Sequence, residues 1–326
     1  GTLVLVPGNT YTNRTTVNLG TLSISADSCL GTPPPEPLVN SLIMGGDSPG
    51  ELAYNAILKA TETFTLHANR GVQLLNAANA FEVVDGRTLT IAGDIGSNPN
   101  GGLNKAGNGL LKLTGACSWT GATAIVAGTL EFAPTVDCAL EGGVTGSGEL
   151  KLTGTGKVTF AGANDYSGNT TVSSGTIGGS GSPNSTMTIA NGAGVAPGAS
   201  IGVFQASNLA VAEGSAYDWE VDHTGPAADL VDVVNTLTLP SAANSVTVTL
   251  QNFSGGSGTF TAALYEFGSL AGDVASLKLD VASSGYAPAA PYVSGNSILV
   301  DLQPVPEPMV LGAVALAAAV LIRRRS

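Results

Sequence analysis

The residues best suited to chemistry in this chain form an acidic cluster in its C-terminal third. Asp218, Glu220 and Asp222 alternate with Trp219 and Val221. In a strand, the three carboxylates would share one face and the two apolar side chains the other. Such a face is a candidate Ca²⁺ site, because Ca²⁺ takes about six to eight oxygen ligands. No Gly-Gly-x-Gly-x-Asp repeat supports the ion. The sequence therefore favours a solvated strand face over a buried tryptophan, with no metal and no cofactor.

The same cluster supplies the candidates for sugar cleavage. Enzymes that cleave polysaccharides on β-helices need paired carboxylates, or a basic residue with Ca²⁺, that converge on a groove. The candidates are Glu220, Asp222 and His223, with Asp229 close behind. No Ser-His-Asp order, nucleophile elbow, metalloprotease helix or phosphate loop is visible in the sequence. A polysaccharide-active lyase or hydrolase is therefore the alternative hypothesis, and we assign no catalytic residue.

The elements that position these residues are indicated by an internal repeat. Residues 1–24, 109–132 and 156–179 align without a gap. Each stretch contains three short runs in which apolar residues alternate, as at Leu111 and Leu113, which predicts strands with one buried face. Three further columns are shared: an aromatic residue, a threonine and a glycine (Tyr11, Trp119 and Tyr166; Thr15, Thr123 and Thr170; Gly20, Gly128 and Gly175).

The repeat predicts a β-solenoid. A coil of two or three strands cannot bury its own apolar side, so it stacks on the next coil and the cores merge. We expect the three stretches to form coils with parallel ladders and with equivalent columns stacked, or nearly stacked, along one axis. The glycine column suits a bend with positive φ or a close approach of backbones. The aromatic column suits packing beneath a corner, with a sugar-stacking stripe as its alternative. A β-sandwich of similar hairpins is the alternative fold.

Other segments fit the same plan. Residues 70–96 alternate in the same way and predict one more coil. Pro33, Pro34 and Pro35 cannot donate ladder hydrogen bonds, so we expect this segment to loop out. Residues 51–63 are predicted to form a short helix.

Composition indicates an exported protein that does not bind nucleic acid. Charged residues make up 11% of the 326 residues, glycine accounts for 44, and the hydrophobic fraction of 43% allows a core. The net charge is −12, and without the three arginines of the tail the remainder carries 24 acidic and nine basic side chains. Phosphate binding needs clustered lysine and arginine, and residues 1–308 carry a net charge of −15 instead. Cys29, Cys117 and Cys138 allow one disulfide and one thiol, with the pairing unassigned.

The repeats resemble a known surface-protein family. The run Leu103-Asn-Lys-Ala-Gly-Asn-Gly-Leu-Leu-Lys-Leu-Thr-Gly115, continuing through Trp119 to Leu130, is similar to the autotransporter-associated β-strand repeat. The stretch 156–179 matches the same pattern through Asn164, Tyr166 and its Gly-Thr pair. Residues 196–198, 217–222 and 229–233 resemble the segment that commonly follows such repeats. The resemblance implies a right-handed parallel β-helix, and it implies no defined activity.

The C-terminal tail resembles a sorting signal. An uncharged apolar run, Met309–Ile322, follows Pro306-Glu307-Pro308 and precedes Arg323, Arg324 and Arg325. Arginines after an apolar helix orient it with its basic end in the cytoplasm. The tail is similar to the PEP-CTERM signal of Gram-negative bacteria, and the resemblance implies processing by an exosortase. A run of this length is also typical of a buried core helix, which is the alternative.

These observations predict an all-β chain with a single short C-terminal hydrophobic helix. The solenoid is expected over 1–303, the spacer and motif over 304–308, the sorting helix over 309–322 and the basic tail over 323–326. We expect a non-enzymatic envelope or matrix protein, structural or adhesive, that passes transiently through the inner membrane by residues 309–322. It would then reach the cell surface or the medium, with extracellular polysaccharide as a candidate partner. Because surface proteins need an export signal and the sequence starts at Gly1, we expect a preceding segment.

Overall fold

The computed structural model describes residues 1–46, 56–222, 227–254, 258–281 and 286–305. These residues are β-strands and connections, apart from two short 3₁₀ helices, Asp27–Leu30 and Val274–Ser276. The predicted all-β class is confirmed.

The strands are short in the N-terminal two thirds and longer afterwards. The first eleven are β1 (Thr2–Val4), β2 (Thr15–Val17), β3 (Gly20–Ile24), β4 (Leu38–Met44), β5 (Ala56–Ala60), β6 (Phe64–Leu66), β7 (Arg70–Leu74), β8 (Ala80–Val83), β9 (Thr88–Ile91), β10 (Ile95–Ser97) and β11 (Leu103–Ala106). The next eleven are β12 (Leu110–Leu113), β13 (Cys117–Ser118), β14 (Thr123–Ile125), β15 (Thr129–Phe132), β16 (Cys138–Leu140), β17 (Val144–Gly146), β18 (Glu149–Leu152), β19 (Lys157–Phe160), β20 (Asp165–Tyr166), β21 (Thr170–Val172) and β22 (Gly175–Gly179). The remainder are β23 (Gly181–Ile189), β24 (Ala193–Pro197), β25 (Val203–Val211), β26 (Ala216–Asp222), β27 (Ala227–Ala228), β28 (Leu230–Thr238), β29 (Val246–Ser254), β30 (Phe260–Ala271), β31 (Leu277–Asp280), β32 (Tyr286–Pro288), β33 (Tyr292–Ser294) and β34 (Ser297–Pro304).

The strands form four sheets that run along the stack of coils. Sheet I has the order β1-β3-β5-β8-β11-β14-β17-β20, and sheet II has the order β13-β10-β7-β4-β2. Sheet III has 13 strands, namely β6, β9, β12, β15, β18, β21, β23, β25, β28, β30, β32, β33 and β34. Sheet IV runs from β16 to β31. A typical coil visits three sheets in turn, as when β7, β8 and β9 lead to β10, which pairs in parallel with β7. The predicted coil over residues 70–96 is confirmed.

All nine strands predicted within the three repeats are present, but the repeats do not stack on one another. Leu3 pairs with Leu22 in sheet I, Leu111 with Leu130 in sheet III, and Val158 with Ile177 in sheet IV. In each repeat the last strand therefore lies directly above the first, 19 residues later. One coil is thus shorter than the 24-residue repeat, and the three copies start on different sheets. The expectation of equivalent columns on one axis is wrong, because the spacing between copies is not a whole number of coils.

The cross-section changes in the C-terminal third. Sheet I ends at β20, and from β23 onward each coil places one long strand of 9 to 12 residues in sheet III and one strand of varied length in sheet IV. The long strands carry register breaks, for example between Ser182 and Thr186. Such irregularities bend a strand, so a single long strand turns the corner that two short strands formed before.

The core is a stack of inward-facing apolar columns. Leu113, expected in the core, is 1% exposed. Trp119 stacks on Phe132 with ring centroids 6.0 Å apart, and Phe132 meets Phe160 edge-on at 5.7 Å. These contacts join side chains of successive coils, so each coil is stabilised by its neighbours rather than by its own contacts.

The glycine column behaves as predicted. Gly20, Gly128 and Gly175 have φ of 84°, 67° and 71°. A Cβ on Gly128 would lie 2.5 Å from the carbonyl oxygen of Gly109 on the preceding coil. Positive φ and close backbone approach therefore both require glycine at this corner.

The two ends of the solenoid differ. At the N-terminal end, β1 and β2 are edge strands, and Leu3 and Val4 are 61% and 66% exposed. At the other end, β34 pairs antiparallel with β30, and β32 and β33 pair with β34. This antiparallel cap covers the last coil and departs from the all-parallel expectation.

The prediction of a short helix over residues 51–63 is wrong for residues 56–63, the part of this segment that the structure describes. Residues 56–60 form β5 between β3 and β8, with Ala56, Leu58 and Ala60 buried on its inner face. Pairing on both sides offsets the helix propensity of the segment. The proline segment before Leu38 lies outside the strands, as predicted.

Candidate functional site

The predicted acidic strand is β26, and its alternation is confirmed. Tyr217, Trp219 and Val221 are buried against the core. Asp218, Glu220 and Asp222 lie half-buried on the opposite face. The parallel pairing of β26 between β24 and β29 fixes this orientation.

Asp229 is the most constrained carboxylate in this region, being 1% exposed. One carboxylate oxygen accepts a hydrogen bond from the Gly202 amide at 2.8 Å, and the other accepts one from the Glu220 amide at 2.9 Å. Its carbonyl accepts the Trp219 Nε1–H at 3.0 Å. Burial raises the pKa of Asp229 to about 7, although the two amide donors and the nearby Lys157 ammonium oppose the shift. Asp229 therefore ties β26 to the connection that precedes β28.

A cavity of about 300 Å³ brings part of the predicted cluster together. Its polar lining comprises Lys157, Asp218, Glu220, Asp229 and Gln251, and Ala196, Pro197 and Ala199 complete the wall. The Gln251 amide donates to Asp218 Oδ1 at 2.8 Å. Of the candidates for sugar cleavage, Glu220 and Asp229 line the cavity and Asp222 does not. His223 lies outside the described residues.

The chemistry open to this cavity is limited by the contacts of its carboxylates. Both oxygens of Asp229 already accept backbone amides, so its role is to hold the strand rather than to reach a ligand. Glu220 and Asp218 remain on the cavity wall opposite a single lysine. Among the described residues, no group of three or more His, Cys, Asp or Glu side chains is arranged to hold a metal ion.

The aromatic and threonine columns of the repeats are joined by hydrogen bonds. Trp119 Nε1 donates to Thr123 Oγ1 at 2.9 Å, and the hydroxyls of Tyr166 and Thr170 lie 2.8 Å apart. Trp119 and Tyr166 are each 1% exposed, so neither can stack on a sugar. Tyr11 makes the same contact with Thr15 at 2.9 Å but is 38% exposed at the open end. Packing beneath a corner is confirmed for the two internal copies.

Lys105 was missed by the sequence reasoning. It is fully buried, and its ammonium donates to the carbonyls of Ala106, Gly107 and Ala127 at 2.9, 2.6 and 3.0 Å. Burial lowers the pKa of Lys105 to about 8. The signal was present in the sequence, because alternation from Leu103 places Lys105 on the inward face of β11.

Three stretches of the chain match the passenger-associated transport repeat. The matched residues are 1–24, 103–132 and 150–177. Together they make up about a quarter of the 326 residues. No curated protein and no solved structure matches the chain.

The matches overlap the features that the structure explains. The passenger-associated repeat at 103–132 contains Lys105, the Trp119–Thr123 hydrogen bond and Gly128. All three serve the corners between strands of one coil or the contact between coils. The repeated columns therefore specify how coils close and stack, and they lie apart from the acidic cavity around β26.

The proposed sorting tail lies outside the described residues, because Pro306–Pro308, the apolar run and Arg323–Arg325 belong to 306–326. Helices long and apolar enough to cross a membrane do not occur in the part of the chain that the structure describes. The sorting signal, the helix and its orientation remain predictions from the sequence.

Proposed function

We propose that this chain is an exported, non-enzymatic β-solenoid that acts at the cell surface or in the extracellular matrix. The observation that carries the proposal is that the three stretches matching the passenger-associated repeat lie within stacks of parallel strands, where Trp119 and Tyr166 are buried and bonded to threonines. A rigid stack with an acidic, charge-poor surface suits a structural or adhesive role. We take the coil to be right-handed, as the resemblance implies.

The route of export that we propose uses the C-terminal tail. Pro306, Glu307 and Pro308 would be the sorting motif, Met309–Ile322 a temporary span of the inner membrane, and Arg323–Arg325 the cytoplasmic end. A 14-residue run is short for a permanent anchor, since a bilayer core of about 30 Å needs about 20 helical residues. An exosortase-type enzyme of a Gram-negative bacterium would remove the span. Extracellular polysaccharide is the partner we propose, and nucleic acid is not, given the net charge of −12.

The test compares the full chain with a variant that lacks residues 305–326 in a Gram-negative host that carries an exosortase. We expect the full chain outside the inner membrane, with mass spectrometry showing a mature form without Met309–Ser326. The truncated variant should keep its circular dichroism spectrum and melting temperature but lose that location. A full chain that keeps Arg323–Arg325 and stays in the inner membrane would overturn the matrix role.

A second candidate function rests on the cavity beside β26. Glu220 and Asp218 line it together with Lys157, and a polysaccharide lyase or hydrolase needs carboxylates or a basic residue that converge on a groove. The purified chain would be incubated with acidic and neutral polysaccharides, and new reducing ends or unsaturated products would be measured. Activity lost in Glu220→Gln and kept in Glu213→Gln, an exposed glutamate outside the cavity lining, would favour the enzyme. Equal, zero turnover in all three would favour the structural role.

A further inference from the structure

Cys117 and Cys138 meet inside the solenoid. Cys117 lies on β13 and Cys138 on β16, strands of successive coils that contact each other. The two residues are 5% and 3% exposed, and their strands lie in contact. The Cys117 thiol donates to the carbonyl of Gly115 at 3.7 Å and the Cys138 thiol to that of Val136 at 4.0 Å. All three cysteines of the chain are present as thiols.

The two cysteines lie where one inward-facing ladder ends and the next begins, on strands that contact each other. Below them, Val72 pairs with Ile95 and Ile95 with Cys117; above them, Cys138 pairs with Val158. Neighbouring strands in a sheet lie about 4.8 Å apart, and disulfides need Cα atoms about 4.4–6.8 Å apart. The spacing of coils therefore matches the spacing of a disulfide.

The ladder is interrupted at this point. Sheet II ends at β13 and sheet IV begins at β16. No ladder pairing joins these two strands, whereas β10 pairs with β13 and β16 with β19 on either side. A covalent bond between the cysteines would link the two sheets where backbone pairing does not.

We propose that Cys117 and Cys138 form a disulfide between successive coils when the folded chain meets a disulfide oxidant. The Cys138 thiolate attacks one sulfur of the oxidant, whose S–S bond breaks and releases one thiol. The Cys117 sulfur then attacks the Cys138 sulfur of the mixed disulfide and releases the second thiol. Two electrons pass to the oxidant, and the two cysteine protons end on the released thiols.

The surroundings favour Cys138 as the first nucleophile. The neighbouring Cys117 side chain lowers the pKa of Cys138 to about 7, against burial and the carboxylates of Asp137 and Asp94. The Cys138 side chain and burial raise the pKa of Cys117. Thiolates, not thiols, attack disulfides. Cys29 lies elsewhere, at the first 3₁₀ helix beside Ser25, and stays a thiol.

This inference goes beyond the proposed function and does not depend on it. An exported chain would meet an oxidising compartment in which such bonds persist. The test below uses purified protein and oxidised glutathione, so its outcome is independent of where the tail directs the chain.

The experiment oxidises the reduced, folded full chain with oxidised glutathione and counts thiols after unfolding. We expect the count to fall from three to one, with the loss of two hydrogen atoms by intact mass. Trypsin leaves both cysteines in one peptide, because no Lys or Arg lies between Lys112 and Lys151, so cleavage after Glu131 is needed to show the cross-link. The melting temperature should rise by about 5 °C on oxidation.

Two variants make the result decisive. Cys29→Ser should form the same cross-linked peptide, and Cys138→Val, which continues the Val and Ile column, should show no rise in melting temperature on oxidation. The proposal is overturned if the folded Cys29→Ser protein keeps both thiols. It is also overturned if only glutathione adducts form, or if Cys29 appears in the cross-link of the wild-type chain.

Discussion

Trp119 Nε1 donates a hydrogen bond to Thr123 Oγ1 at 2.9 Å, and both side chains are buried. The bond spans the corner between β13 and β14 and recurs four residues apart in the other two repeats as Tyr11–Thr15 and Tyr166–Thr170. The aromatic column and the threonine column of the repeats are thus joined by one recurring hydrogen bond.

Thr123→Val tests this corner contact. Valine keeps the shape but leaves the indole N–H buried without its acceptor, which costs about 1–3 kcal/mol. Denaturant unfolding of the variant should show that loss. The matched control is Thr15→Val, where Tyr11 is 38% exposed and water can replace the partner, so we expect a change below about 0.5 kcal/mol. Equal losses in both variants would contradict the explanation by burial.

Gly128→Ala tests the glycine column. Its φ of 67° disfavours alanine, and the new Cβ would meet two carbonyl oxygens of the coil below at 2.5 and 2.6 Å. Gly86→Ala is the control, since Gly86 has a φ of 69° and no atom within 4 Å of the added Cβ. We expect about 1 kcal/mol of destabilisation for Gly86→Ala from φ alone, and clearly more for Gly128→Ala. The difference between the two melting temperatures isolates the close approach of coils.

Lys105→Met tests the buried ammonium. The variant leaves three carbonyl groups without their charged donor, so we expect a loss of about 3 kcal/mol or more in the free energy of unfolding. Lys151→Met is the control, because this lysine is 42% exposed and its contact with Glu149 is long, at 3.9 Å. That change should stay within about 0.5 kcal/mol. A tolerated Lys105→Met would mean that water replaces the ammonium at the corner.

Asp229 predicts a pH dependence of stability. Its folded-state pKa of about 7 lies above the ordinary value of 3.8, so the folded chain holds a proton that the unfolded chain releases. The stabilisation that protonated Asp229 adds to the free energy of unfolding is therefore complete below about pH 4 and is lost as the pH rises to about 7. The free energy of unfolding falls over this range by at most about 1.4 kcal/mol per pH unit. Denaturant unfolding at several pH values should show this slope reduced in Asp229→Asn and kept in Asp218→Asn. Parallel profiles for Asp229→Asn and the wild type would show that the two amide donors keep the carboxylate ionised.

Local patterns in the sequence are enough to predict where the repeat strands lie and which residues turn the corners. Alternation at Leu111 and Leu113, the positive φ of Gly128 and the outward carboxylates of β26 follow from local chain geometry. These features depend on neighbours a few residues away, so a pattern in the sequence is enough to find them.

Only the tertiary structure decided which residues meet across coils. The number of residues in one coil depends on the length of every connection. Leu111 pairs with Leu130, so this coil has 19 residues, although the sequence repeat has 24. That count brings the strand of Cys117 into contact with the strand of Cys138 and places the Lys105 ammonium against the Ala127 carbonyl of the next coil. Neither residue shows its partner in the sequence, because each partner lies about 20 residues away along the chain and one strand away in space.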